Sequence, residues 1–175
     1  TRASEEFAAG YIPGSINVGV RGNFAQWVGE MIPQVSQQLL LVTEPGDEKE
    51  SITRLSRVGY DGVIGYLNGG YPAWKSAGRP HDTITRINAE ELEEKVAAGA
   101  IPLIDIRKKS EFNTECVKGA INIPLNEMRT RMNEFPSHEP FVIYCAGGYR
   151  SMIAASLLKQ AGIENFCDVR GDRKS

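Results

Sequence analysis

Cys145 ends an apolar run, Phe141-Val142-Ile143-Tyr144, and five residues later stands Arg150. Between them lies a short loop, Ala146-Gly147-Gly148-Tyr149, and Ser151 then opens an apolar stretch that runs to Gly162. The pattern reads as strand, tight loop, helix. A residue at the carboxyl end of a buried parallel strand is where such sheets place their ligands. The loop leads into a helix N-terminus, whose free N–H groups and positive dipole end favour an anion. Two glycines let the backbone curl with its amides inward, as an anion-binding nest. A cysteine held there favours the thiolate, the nucleophilic form of the side chain. Arg150 adds a fixed charge and a planar fork of donors. It fits two roles: touching an anionic substrate, or turning away to pair with an internal carboxylate and brace the loop. Taken alone, a cysteine before a glycine turn also reads as a small buried hydrophobe. The company of loop, arginine and serine favours the nucleophile.

The elements that must position this loop are legible around it. Strands are expected at 103–106, 120–123, 141–144 and 165–169, as short apolar runs. Helices are expected at 89–98, near 126–134 and at 151–162, with a turn near 109–114. Asn88 with Glu91 three residues on forms an N-terminal capping signature, and Gly99 fits the helix stop. Alternating strands and helices imply an α/β fold, a mostly parallel sheet flanked by helices.

The chain repeats itself. Arg2, Glu6, Phe7, Gly14, Ile16 and Asn17 match Arg107, Glu111, Phe112, Gly119, Ile121 and Asn122 at an offset of 105. Leu39–Val42 matches Phe141–Tyr144, and Gly65–Gly70 matches Cys167–Asp172, at an offset of 102. The first copy thus carries three more residues in its connecting segment, a tolerable loop insertion. So long a repeat means two tandem domains, 1–80 and 81–175, joined near Gly78-Arg79-Pro80-His81-Asp82. The strand corresponding to 101–106 falls ahead of Thr1, so the chain is expected to begin inside the first domain.

Cys-x4-Arg-Ser between strand and helix resembles the active-site loop of the rhodanese family of sulfurtransferases. Asp105-Ile106-Arg107 followed by Glu111-Phe112 is similar to that family's D-x-R…E-F signature, Gly119–Pro124 to its G-A-x-N-I-P strand, and Gly69–Trp74 to its closing G-G-x-x-A-W. The resemblance spans nearly the whole chain, in two copies. It implies two tandem rhodanese-like α/β domains and a double-displacement sulfur transfer. Cys145 would take sulfur from a small anionic donor, thiosulfate or a persulfide, and pass it to a thiol, a protein thiol or cyanide. Ala146, Gly147, Gly148, Tyr149, Arg150 and Ser151 would bind the donor and the persulfide. No metal and no organic cofactor is implied. Asp105 and Arg107 would support the site by anchoring the loop, Arg107 through an ion pair with Glu111. Cysteine-dependent phosphatases and arsenate reductases of related fold place five residues between Cys and Arg; the four here favour sulfur. A sulfur-relay or protein-interaction module without turnover is the non-enzymatic alternative.

At the Cys145 position the first copy carries Thr43 or Glu44, and near the Arg150 position Glu48, in an acidic loop with Asp47 and Glu50. Such a loop repels an anion, so this copy is expected to be inactive. An inactive unit before an active one resembles the C-terminal part of fusions with a metallo-β-lactamase-fold persulfide dioxygenase, which implies an upstream domain in a longer chain. His81 and His138 are isolated and offer no such metal cluster. Cys116 stands where the family often carries histidine, and Cys167 falls in a terminal strand. Arg129 and Arg131 read as solvated helix charges.

The bulk properties close off other classes. Twenty Lys and Arg against 22 Asp and Glu give a net charge of −2, which is no nucleic-acid footprint. No apolar run is long enough for a membrane helix. Three cysteines are too few and too odd in number for a disulfide framework, and point to a reducing, cytoplasmic compartment.

Overall fold

A computed structural model describes residues 1–97 and 101–171, which form two compact units. The first takes in most of Thr1–Thr83; the second begins at Ile84 and includes Gly14–Ile16.

The first unit contains α1 (Ser4–Ala9), α2 (Phe24–Met31), β1 (Leu39–Leu41), α3 (Glu48–Ser56), β2 (Val63–Tyr66) and α4 (Gly70–Ser76). β1 and β2 pair in parallel. The core is built by Phe7, Tyr11, Phe24, Trp27, Val28, Met31, Leu41 and Leu55, all at most 7% exposed. Leu40, Ile64 and Tyr66 of these strands are exposed, at 73%, 58% and 49%.

The second unit contains β3 (Arg86–Ile87), α5 (Ala89–Ala97), β4 (Leu103–Asp105), α6 (Lys109–Thr114), β5 (Ile121–Asn122), β6 (Phe141–Tyr144), α7 (Tyr149–Gln160) and β7 (Phe166–Val169). Its sheet is parallel throughout, in the order β3-β7-β6-β4-β5. Every residue of β4 and β6 is buried, as befits strands covered on both faces, and all are apolar except Asp105, which ends β4. Helix α7 is buried from Ser151 to Leu158, which is why it is apolar nearly all round. On one face of the sheet Leu92 and Val96 of α5 pack against Ile87, Leu103, Val142 and Tyr144.

The repeat is visible in the geometry. Leu40 opposite Gly65 and Leu41 opposite Tyr66 reproduce, at the offset of 102, Val142 opposite Cys167 and Ile143 opposite Asp168. The aligned asparagines do the same work: Asn17 Nδ2 donates to the Arg2 carbonyl at 3.0 Å, and Asn122 Nδ2 to the Arg107 carbonyl at 2.9 Å. The aligned arginines also agree, each donating to the carbonyl that ends the next helix, Gly10 at 2.7 Å and Glu115 at 2.6 Å. What differs is the cover. Val142 is wholly buried, whereas its counterpart Leu40 is not.

Three expectations need correction. The segment 126–134 is not one helix but two 3₁₀ turns, Leu125–Glu127 and Met132–Glu134. Asn126, Thr130 and Asn133 are poor helix formers, while Leu125, Met128 and Phe135 each pin the chain to the core. Residues 109–114 make a full helix instead of a turn. Helix α7 starts at Tyr149, two residues before Ser151, because Gly148 takes the left-handed turn (φ 75°) that launches it. The start of α5 is as expected: the Glu91 N–H donates to Asn88 Oδ1 at 2.8 Å, and the Asn88 N–H to Glu91 Oε2 at 2.7 Å. Gly99, and the residues beyond Gly171, lie outside the described residues.

Candidate functional site

Cys145 is the first residue past β6, the middle strand of the five. The strand holds it in place through the Tyr144 carbonyl, which accepts the Ile106 N–H at 3.0 Å. Beyond Cys145 the chain turns at Gly148 and enters α7, and this brings the third residue of the helix back over the sulfur. The Ser151 backbone N–H donates to Cys145 Sγ at 3.4 Å, and Ser151 Oγ lies 3.5 Å from the same atom. Ser151 is itself fully buried, while Cys145, Gly147, Tyr149 and Arg150 are half-buried and Ala146 is exposed. Cys145 is therefore partly open to solvent while a helix N-terminus donates to its sulfur from within.

Of the two readings of Arg150, the pairing with an internal carboxylate has its partner in Glu111. Arg150 Nη1 and Nη2 donate to Glu111 Oε2 and Oε1 at 2.5 and 2.9 Å, a two-pronged fork reaching from α7 to α6. The guanidinium holds the Glu111 carboxyl below its ordinary value, and the carboxylate raises Arg150 in turn. The expected Arg107–Glu111 pair is not formed. Arg107 instead folds back onto Asp105, with Nε at 3.0 Å from both carboxylate oxygens and Nη2 at 2.7 Å from Oδ2. Asp105 also accepts the Arg107 backbone N–H at 2.8 Å. The two residues leave β4 together, so the nearer carboxylate takes the fork and frees Glu111 for Arg150. Asp105, at zero exposure, and Arg107 therefore brace the exit of β4 beside the loop.

Two contacts behind the loop carry no sequence signature. Gly171 packs so tightly on it that an added Cβ would lie 2.3 Å from the Gly147 carbonyl carbon. A Cβ on Gly148 would lie 2.9 Å from Nη2 of Arg86. Arg86 on β3 in turn donates through Nε to Asp168 Oδ2 on β7 at 2.8 Å. The partners are 82 residues apart, and only the pairing of β3 with β7 joins them.

The corresponding loop of the first unit has no thiol. Thr43 occupies the cysteine position and is 1% exposed. Glu44 pairs with Arg2 at 2.8 Å, Asp47 with Arg21 at 3.3 Å, and Glu48 accepts the Gly46 N–H at 2.8 Å. The acidic charge expected to repel an anion is thus partly neutralised within the unit. Cys116 is exposed and Cys167 half-buried, its thiol pushed up by burial; both are free. Among the described residues no group of His, Cys, Asp or Glu is placed to hold a metal, and no helix is long and apolar enough to cross a membrane.

A family model of the rhodanese-like domain matches residues 1–77 and again 88–174. The "Sulfurtransferase" of Allochromatium vinosum is 32% identical over 89 residues, covering 50% of this chain and 83% of that protein. The "Putative sulfur carrier protein YrkF" of Bacillus subtilis is 30% identical over 88 residues, covering 50% of this chain and 48% of that protein. The "HTH-type transcriptional regulator Rv0324" of Mycobacterium tuberculosis is 37% identical over 89 residues, covering 50% of this chain and 38% of that protein. The chain thus spans less than half the length of two of these relatives. Among solved structures, a rhodanese-related protein of Thermoplasma volcanium is 32% identical with a TM-score of 0.46, over 50% of this chain and 84% of that one. With two segments matched and the sheet and loop described above, the chain belongs to the rhodanese-like domain family and carries that domain twice in tandem.

Proposed function

We propose that the second unit is a sulfurtransferase and that Cys145 is its nucleophile. The observation that supports this most is the Ser151 N–H aimed at a half-buried Cys145 Sγ from the first turn of α7. In the first step the Cys145 thiolate attacks the outer sulfur of the donor. The donor's S–S bond breaks, and its electron pair leaves with sulfite from thiosulfate or with a thiolate from a persulfide. The product is a Cys145 persulfide. In the second step an acceptor thiolate, or cyanide, attacks the outer sulfur and restores the Cys145 thiolate. This is covalent catalysis with ping-pong kinetics, and preorganised amides of residues 146–151 hold the charge that moves. Arg150, engaged by Glu111, braces the loop and lends it a positive field without leaving its partner. Asp105 and Arg107 support the loop from β4. The first unit, with Thr43 sealed in, carries no transfer of its own. Three free thiols fit a reducing compartment, the cytoplasm.

A second reading is a relay that stores sulfur for a protein thiol with little turnover on small molecules; the similarity to a putative sulfur carrier favours keeping it in view. Steady-state assays separate the cases. The proposal expects turnover with thiosulfate and cyanide or with glutathione persulfide and a thiol, absent in Cys145→Ser. Persulfide loading without turnover indicates the relay. Hydrolysis of p-nitrophenyl phosphate, with no sulfur taken up, overturns both.

A further inference from the structure

Arg86 and Asp168 form an ion pair directly behind the Cys145 loop. Their side chains are 4% and 0% exposed, and they face each other in register across β3 and β7. The pair is oriented. Nε meets the carboxylate at 2.8 Å, while Nη2 lies against the Cα of Gly148, 2.9 Å from where a Cβ would stand. Its positive edge therefore faces the loop.

Buried ion pairs are weak devices for stability, because the desolvation of both charges offsets their attraction; apolar replacements of similar volume are often neutral or stabilising. A pair kept in such a place calls for another use. Gly148 supplies one. It takes the left-handed turn that sets the direction of α7, and three residues later the Ser151 N–H reaches Cys145 Sγ at 3.4 Å. A shift or rotation at Gly148 displaces that donor. The first unit makes the comparison within the same chain. There Gly46 holds the corresponding turn, with φ 98°, and Tyr66 stands at the Asp168 position. That unit carries Thr43 in place of the thiol.

We propose that Arg86, fixed by Asp168, is a positioning residue for Cys145: it sets the turn at Gly148 and so aims the first turn of α7 at the sulfur. For its catalytic consequence the inference rests on the sulfurtransferase reading above; for its geometric consequence it does not.

The test uses the whole chain in two variant forms. The double variant Arg86→Met/Asp168→Leu removes both charges of the pair together, and Arg86→Lys keeps the charge but loses the fork. Three readouts are taken: thermal stability, the rate of Cys145 persulfide formation, and the rate of Cys145 alkylation by iodoacetamide, a neutral probe that needs no sulfur transfer. The expected result is a double variant at least as stable as the wild type, with both rates lowered at least tenfold, and a smaller loss in Arg86→Lys. Rates within twofold of wild type in a folded double variant overturn the proposal. If the double variant does not fold, Arg86→Lys decides: full rates in it overturn the proposal, and a loss of both rates at unchanged melting temperature supports it. If the wild type forms no persulfide yet alkylation still falls in the variants, the sulfurtransferase reading fails and the positioning role stands.

Discussion

Replacing Glu111 by glutamine removes the carboxylate that holds Arg150 against α6, and its cost depends on how wet that pair is. Exposed ion pairs contribute about 0–1 kcal/mol, and hydrogen bonds to charged groups shielded from water about 1.5–3 kcal/mol. Glu111 is 36% exposed and Arg150 18%, so solvent screening removes most of the shielded value. The two-pronged geometry keeps the pair near the upper end of the exposed range, which gives about 1 kcal/mol. In a domain of this size that lowers the melting temperature of the second unit by about 4–8 °C. The pH dependence carries a definite sign. Arg150 holds the Glu111 carboxyl below its ordinary 4.5. Its stabilisation is complete above that ordinary value and disappears as the pH falls through the lowered one. Denaturation of wild type and Glu111→Gln, measured in steps from about pH 7 to about pH 3, should show a constant gap down to about pH 5 and a closing gap below about pH 4. A gap that is absent under neutral conditions, or that persists unchanged at the acid end, would refute the argument.

Gly148→Ala should lower persulfide formation at least tenfold and cost about 1–2 kcal/mol, because it forces a Cβ into the left-handed region against Arg86. Gly147→Ala meets nothing within 4 Å and should keep near-wild-type stability, read by the same melts. Thr43→Cys should not create a second reactive thiol, since position 43 is 1% exposed; peptide mapping after iodoacetamide would show alkylation at Cys145 and none at position 43. Ile143→Ala, at zero exposure in the middle strand, should cost about 2–5 kcal/mol by leaving a cavity, measured by chemical denaturation of the second unit.

Cys145 and its loop were readable because their signal is local. An all-apolar strand, two glycines and an arginine lie within ten residues, and local chemistry dictates the turn. The same holds for the Asn88–Glu91 cap, whose reciprocal bonds span three residues. Arg107 was legible as a loop anchor from its place in the D-x-R…E-F signature, whereas the bond from Asn122 to the Arg107 carbonyl was not. What escaped was set by strand pairing. β3 is two residues long and too short to show a period, so Arg86 gave no sign that it would lie behind Gly148. Its partner Asp168 is 82 residues away. Glu111 was noticed, but matched to Arg107; Asp105, two residues from Arg107, captured that fork first. The helix expected near 126–134 failed because apolar residues at helix-like spacing were anchored one by one to the core, with weak helix formers between them.

The central claim is that Cys145 carries the sulfur, and intact-mass spectrometry after incubation with thiosulfate or glutathione persulfide tests it most directly. The account expects a gain of about 32 Da, one sulfur atom on the thiolate nucleophile, on the wild-type chain, reversed by cyanide or excess thiol and missing in Cys145→Ser. An unchanged mass at saturating donor, or the same gain in Cys145→Ser, would contradict it.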